Sequence, residues 1–259
     1  MNTKSIMRKQ YFTLLAATAL TALSCSDSAS DEFEEVNGEV EAQYISSTIV
    51  TSTADASDRT TLFLSYDANT RLTEVSNGED TDYFIYEDDN LVNVTGENDN
   101  LDIEELYQSP YNAFEVGEVR EYDANGNPKR IAFYSEDYDP TTGTTIDKEY
   151  MAVVTYDDAP NPYFHTLKAA GIIDVLDGVQ LHLTMTPQAS EVVKARALLF
   201  NNNPSQVVYF DENGEPLYDI KVDYTYNDLN YPTQATIKAT NYQHNGAVDF
   251  YTASFSYLD

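Results

Sequence analysis

One cysteine, three histidines and 44 carboxylates are the side chains through which this 259-residue chain could do chemistry. The histidines, His165, His182 and His244, stand far apart. No His-x-His or His-Glu-x-x-His pair offers two imidazoles to one zinc ion. A Gly-x-Ser-x-Gly elbow, a phosphate loop and a dinucleotide fingerprint are all missing. A glycosidase needs two carboxylates flanking one bond, and a chain this acidic holds many chance pairs, so the sequence singles out none. The reading is therefore of a protein that is not an enzyme, with no catalytic and no cofactor-binding residue assigned.

Oxygen-rich turns offer a second kind of chemistry, because a hard cation such as calcium takes carboxylate and carbonyl ligands. Asp123-x-Asn125-x-Asn127 begins like an EF-hand loop. Pro128 then stands where the sharp-turn glycine belongs, and Tyr134 where the bidentate glutamate belongs. Glu87-Asp88-Asp89-Asn90, Glu97-Asn98-Asp99-Asn100 and Tyr156-Asp157-Asp158 are acidic turns without that spacing. Calcium stays open as a cofactor, and its ligands are unassigned. The plainer reading is hairpin chemistry, since Asp and Asn at turns bond their own backbone.

The elements that must position these groups repeat along the chain. A tyrosine or phenylalanine at a strand end is followed by a polar turn and a second apolar run. The turns are Tyr66-Asp67-Ala68-Asn69-Thr70-Arg71-Leu72, Tyr86-Glu87-Asp88-Asp89-Asn90-Leu91, Tyr122-Asp123-Ala124-Asn125-Gly126-Asn127-Pro128, Phe210-Asp211-Glu212-Asn213-Gly214-Glu215-Pro216 and Tyr226-Asn227-Asp228-Leu229-Asn230-Tyr231-Pro232. Asn-Gly is a strong short hairpin signal, and the prolines fall where a strand tolerates a residue without N–H. The flanks alternate with period two. Ile220, Val222, Tyr224 and Tyr226 share one face, and Lys221, Asp223, Thr225 and Asn227 the other, which is the mark of a half-buried antiparallel strand.

This rhythm predicts strands near residues 43–50, 61–66, 72–76, 82–86, 91–95, 116–122, 130–135, 147–156, 179–185, 206–210, 217–226, 233–242 and 248–257. It predicts short helices at 101–107 and 190–200, with a weaker helical pattern at 168–176 interrupted by Gly171. The fold class is all-β, mainly antiparallel: an up-and-down meander of about 13 strands. A sheet that wide curls, splits or closes, so the expectation is a curved sheet or barrel with one or two short helices.

With 14 Lys+Arg against 44 Asp+Glu, the formal charge is −30. That argues against nucleic acid and anionic membrane surfaces as partners. The 21 Tyr and 11 Phe, with regular alternation, argue for a packed core and against general disorder. Residues 1–24 carry Lys4, Arg8 and Lys9 ahead of an apolar run over 11–23, which is short for a membrane span and reads as a secretory signal. Residues 25–40 read as an acidic flexible tether, and 41–259 as a single β-meander domain.

Ala22-Leu23-Ser24-Cys25 resembles the lipobox of bacterial lipoproteins, with Leu23 two residues ahead of the cysteine and not the usual three. The resemblance implies cleavage before Cys25 and lipidation of that residue. The run Ser26-Asp27-Ser28-Ala29-Ser30-Asp31-Glu32 looks like the surface-export signal of Bacteroidetes lipoproteins; a solvated linker is the alternative. The Tyr-Asp turns at Tyr66-Asp67, Tyr122-Asp123 and Tyr226–Pro232, with Tyr156-Asp157-Asp158-Ala159-Pro160-Asn161-Pro162-Tyr163 and Asn202-Asn203-Pro204, resemble a broad family of uncharacterised Bacteroidetes secreted lipoproteins. The resemblance implies a porin-like β fold and brings no catalytic residues. The same turns also resemble the repeats of Rhs-type toxin shells, whose arrays are longer and more strictly spaced.

"Porin-like" here does not imply a pore. Several strands fall short of the 9–11 residues that cross a bilayer, and Ser256-Tyr257-Leu258-Asp259 lacks a terminal aromatic. The expectation is a lipid-anchored outer-membrane protein, on the cell surface, acting as a binding or structural module. Its partners would be the membrane through the lipid and a glycan or protein. The alternatives are a glycan-binding or calcium-dependent accessory protein in nutrient capture and, third, a glycoside-hydrolase-like enzyme.

Overall fold

The computed structural model describes residues 28–96, 117–139, 141–177 and 195–258. Twelve antiparallel strands lie in these residues: β1 Ile45–Ser52, β2 Arg59–Tyr66, β3 Leu72–Ser76, β4 Thr81–Glu87, β5 Asn90–Thr95, β6 Glu118–Tyr122, β7 Pro128–Asp139, β8 Thr144–Pro160, β9 Asn202–Phe210, β10 Pro216–Tyr226, β11 Pro232–Asn241 and β12 Ala247–Tyr257. They form one sheet in the order β5-β4-β3-β2-β1-β12-β11-β10-β9-β8-β7-β6. Every neighbour in the sheet is a neighbour in sequence except at the centre, where β1 pairs with β12. The mainly antiparallel meander expected from the alternation is what forms, and β5 and β6 are its outermost strands among the described residues. The expected strand at 179–185 and the expected helix at 101–107 lie outside the described residues.

Four of the turns share one hydrogen-bond pattern. In each, the first carboxylate or amide oxygen accepts from the backbone N–H two and four residues on. Asp67 Oδ1 takes Asn69 and Arg71 at 2.8 and 2.9 Å, and Asp123 Oδ1 takes Asn125 and Asn127 at 2.9 Å each. Asp211 Oδ1 takes Asn213 and Glu215 at 2.9 and 2.8 Å, and Asn227 Oδ1 takes Leu229 and Tyr231 at 3.0 and 2.9 Å. The fourth residue is left-handed in all four: Thr70 at φ 63°, Gly126 at 74°, Gly214 at 81° and Asn230 at 63°. This is a three-residue loop closed by a bulge, and Thr70 adopts it despite its Cβ. The turn after Tyr86 differs. Asp88 and Asp89 both have positive φ, and Glu87 pairs directly with Asn90, giving a two-residue turn.

The β7–β8 hairpin runs further than the alternation suggests. Ladder pairs continue from Arg130↔Val153 out to Asp139↔Thr144, beyond the strands expected at 130–135 and 147–156.

The helices sit on one face of the sheet. α1 (Ala29–Asn37), α2 (Phe164–Ala169) and α3 (Ile172–Asp177) bury their apolar sides against β1–β4, and a helical turn at 195–198 packs Leu198 against β7–β10. The weak helical pattern at 168–176 resolves into two helices broken at Gly171, whose φ is 74°. A Cβ there would lie 3.0 Å from Leu91 of β5, so glycine also permits the helix pair to close on the sheet.

α1 corrects the reading of residues 25–40 as a flexible tether. Ser28 caps Asp31 in a capping box. Phe33 is 1% exposed and stacks on Phe164 at 3.8 Å between ring centroids. Ala29 N–H donates to Asp177 Oδ1 at 2.6 Å, Arg196 pairs with Glu32 at 2.8 Å, and Asn37 Nδ2 donates to the Asn201 carbonyl at 3.1 Å. Acidic composition hid a helix because only two of its residues, Ala29 and Phe33, are buried, and both point the same way.

Two outcomes follow for stability. Phe33→Ala is expected to cost about 3–5 kcal/mol, read by denaturant unfolding; a change below ~0.5 kcal/mol would mean that this segment is a tether after all. Asp211 is held below the ordinary carboxylate range, first by the Glu215 N–H and then by the other donors of its turn. Its charged form is therefore favoured in the folded state. That contribution is complete above the unfolded value near ~3.9 and lost as pH falls through the lower folded value. Asp211→Asn keeps the acceptor, as Asn227 does, but cannot titrate. Thermal unfolding from pH 5 to 2 should show a shallower loss of Tm for the variant than for the parent; parallel curves would contradict this.

Candidate functional site

Flat, six adjacent strands would spread over about 24 Å. Here β2, β1, β12, β11, β10 and β9 all line one cavity of about 510 Å³, so the sheet curls around it. Its walls are inward positions of the alternating pattern. Ile220, Val222 and Tyr224 come from β10, Ala235, Ile237 and Ala239 from β11, and Tyr251, Ala253 and Phe255 from β12. Val50 and Leu62 continue the wall onto β1 and β2. The face predicted for Ile220, Val222 and Tyr224 is the face that lines it.

The space exists because small residues oppose each other. Ala235 pairs with Ala253 across β11 and β12, and both are buried. Larger side chains at these positions would fill the centre of the curled sheet. Inward alanines on consecutive strands were the available sequence signal for a cavity, and they are easily taken for ordinary strand residues.

One end is closed by the two proline-containing motifs. Asn161, Pro162 and Tyr163 from the first, with Phe200, Asn203 and Pro204 around the second, line that end. They are held by a buried amide network. Asn127 Oδ1 accepts from the backbone N–H groups of Asn201 and Asn202 at 2.7 and 3.1 Å, and its Nδ2 donates to Asn202 Oδ1 at 2.9 Å. Asn161 Nδ2 donates to the Phe200 carbonyl at 2.9 Å, and Asn202 Nδ2 reaches Asn37 Oδ1 and the Ala159 carbonyl at 3.2 Å each. Asn127, Asn161 and Asn202 are at most 1% exposed. The network therefore joins a hairpin turn, α1 and both motifs without solvent, where unpaired amides would be costly.

Two of the phenol hydroxyls on the cavity wall are paired within the protein, whereas the buried Asn203 amide has no hydrogen-bond partner among the described residues. The Tyr163 hydroxyl lies 3.0 Å from Thr48 Oγ1, and the Tyr224 hydroxyl donates to the Pro204 carbonyl at 3.0 Å. Burial raises the pKa of both phenols, so they are neutral at ordinary pH. The opposite end opens past Thr60, Tyr251 and Asp58. Asp58 and Thr60 are exposed there.

The residues singled out in the sequence for metal, acid–base or lipid chemistry do not converge on this cavity. Cys25, His182 and the acidic turn at 97–100 lie outside the described residues. His165 packs edge-on against Phe33 and Phe164, and burial lowers its pKa to about 4, leaving a neutral ring in the core. His244 sits in an exposed turn, its Nδ1 3.0 Å from Asn241 Nδ2. Among the turns weighed for calcium, Asp123 is occupied by its own backbone, Asp89 pairs with Arg71 at 2.8 Å, and Asp157 accepts from Ala159 N–H and the Tyr226 hydroxyl. No group of three His, Cys, Asp or Glu side chains placed for a metal ion occurs among the described residues.

No protein-family model matches the chain, and no curated protein matches it significantly. Solved structures do. A porin-like protein from Bacteroides uniformis has 12% identity and a TM-score of 0.36, over 83% of this chain and 98% of that one. A porin-like protein from Bacteroides vulgatus has 10% identity and a TM-score of 0.38, over 83% and 99%. A LolA-superfamily protein from Nitrosomonas europaea has 9% identity and a TM-score of 0.28, over 89% and 92%.

Proposed function

We propose that this chain is a cell-envelope binding protein that holds an elongated apolar or amphipathic small molecule inside its curled sheet. The observation that carries this is the cavity of about 510 Å³ walled by valine, isoleucine, leucine, alanine and tyrosine side chains. Its volume lies in the range of small-molecule sites, roughly 300–1,000 Å³, and such sites are mostly apolar with a few placed polar groups. An empty apolar cavity of this size would be costly to keep in a core that could be filled.

A binding role fits the wall better than hydrolysis. Among the described residues, Asp58 is the one carboxylate lining the cavity, and glycoside hydrolysis calls for a pair. Glycan binding is the second reading. Tyr209, Tyr224 and Tyr251 on the wall favour it, because tyrosine rings stack on sugar faces. The pairing of the Tyr163 and Tyr224 hydroxyls within the protein weighs against it.

The neutral fluorophore N-phenyl-1-naphthylamine should brighten on binding, and the folded protein should gain about 2.7 kcal/mol of stability at 100 times the dissociation constant. Ala253→Phe, which fills the centre of the cavity, should abolish both effects while leaving the fold intact by circular dichroism. Binding that survives this substitution would place the ligand elsewhere.

The envelope location rests on Cys25. We place the mature protein on the outer membrane, held by a lipid on that residue and facing the cell surface. Cys25→Ser should shift the protein from the membrane fraction to the soluble fraction and abolish incorporation of a labelled fatty acid; unchanged membrane retention would contradict the anchor.

A further inference from the structure

The cavity wall is asymmetric in charge. None of its described residues is Lys, Arg or His. The closed end, at Tyr163, Phe200 and Pro204, is uncharged. Carboxylates gather at the open end. Asp58 lines it, and Asp249 lies two residues from Tyr251 on the same face of β12. Both are close enough to Tyr251 for their charges to raise the pKa of its hydroxyl, after burial. Neither side chain has a hydrogen-bond or ion-pair partner among the described residues. Arg59, the nearest cation in sequence, alternates to the other face and donates to Thr61 Oγ1 at 3.2 Å. An apolar tail entering this cavity therefore leaves its head between two carboxylates, in the field of a chain with a net charge of −30.

We propose that the ligand is a single-tailed amphiphile with a positively charged head, its tail inside the curled sheet and its head between Asp58 and Asp249. This rests on the cavity being a ligand site, as argued above, and adds which ligands it takes. A cationic head is attracted by both carboxylates at the rim, which are solvent-exposed, so the attraction is sensitive to salt. An anionic head meets repulsion with no compensating cation. A neutral head gains the tail contacts alone.

The test is displacement of N-phenyl-1-naphthylamine from the purified protein, in detergent-free buffer at pH 7, by three compounds of equal tail length: dodecylamine, dodecanol and dodecanoate. The amine should bind tightest and the carboxylate weakest, about 10-fold or more apart at low salt and converging as salt screens the rim. The double variant Asp58→Asn, Asp249→Asn should narrow that gap and leave dodecanol unchanged. Ala253→Phe should remove binding of all three, which separates cavity binding from general adsorption of amines to an acidic surface. Equal affinities, a tighter carboxylate, a gap that survives the double substitution, or amine binding insensitive to Ala253→Phe would each overturn the proposal. Failure of all three compounds and of the fluorophore would instead overturn the reading of the cavity as a site, and this proposal with it.

Discussion

The structure depends on a side-chain oxygen that folds its own turn. Asp67, Asp123, Asp211 and Asn227 each take two backbone N–H groups of the loop that follows, and so set where the next strand begins. Register follows from this, because a slip of one residue would turn every inward side chain outward. Leu64, Phe84 and Phe133 are buried while their neighbours Phe63, Ile85 and Tyr134 are exposed, so the chain has much to lose from a slip.

Tyrosine hydroxyls tie successive hairpins together on top of this. The residue just after a turn has its carbonyl capped from a later strand: Leu72 by Tyr86 at 2.6 Å, Pro128 by Tyr156 at 2.7 Å and Pro232 by Tyr257 at 2.6 Å. A proline there has no N–H to give the ladder, and its carbonyl finds a partner in a phenol whose ring is already packed. The abundance of tyrosine is explained more by this bracing than by ligand stacking. The asparagine network does the same at the closed end of the cavity, where amides of Asn127, Asn161 and Asn202 hold the ends of β7, β8 and β9 together.

The strands were legible because alternation and turn chemistry are local. The Asp-x-Asn-Gly turns and the proline that follows them are written in seven consecutive residues. What the sequence hid is what depends on distant partners. α1 looks like solvated linker until Phe33 meets Phe164, 131 positions away in the chain. The cavity is invisible until Ala235 stands opposite Ala253. Asn202 reads only as part of an Asn-Asn-Pro segment, and the fold alone brings it to Asn127 and Asn37. Carboxylate counting, which suggested calcium turns, could not tell that Asp123 spends its oxygens on its own backbone.

The placement of β1 beside β12 at the centre of the sheet bears on how the chain folds. Ten of the eleven strand pairings join consecutive strands across connections the chain itself supplies, although the β8–β9 link is long. A single pairing, Thr48↔Phe255 and its neighbours, must bring together regions about two hundred residues apart, and it carries the loop-closure entropy of nearly the whole molecule. The two arms, β1–β5 and β6–β12, can each zip locally, but the cavity they share is assembled only when that seam closes. The cavity therefore reports completion of folding: before β1 docks on β12, two of its six wall strands, β1 and β2, are missing.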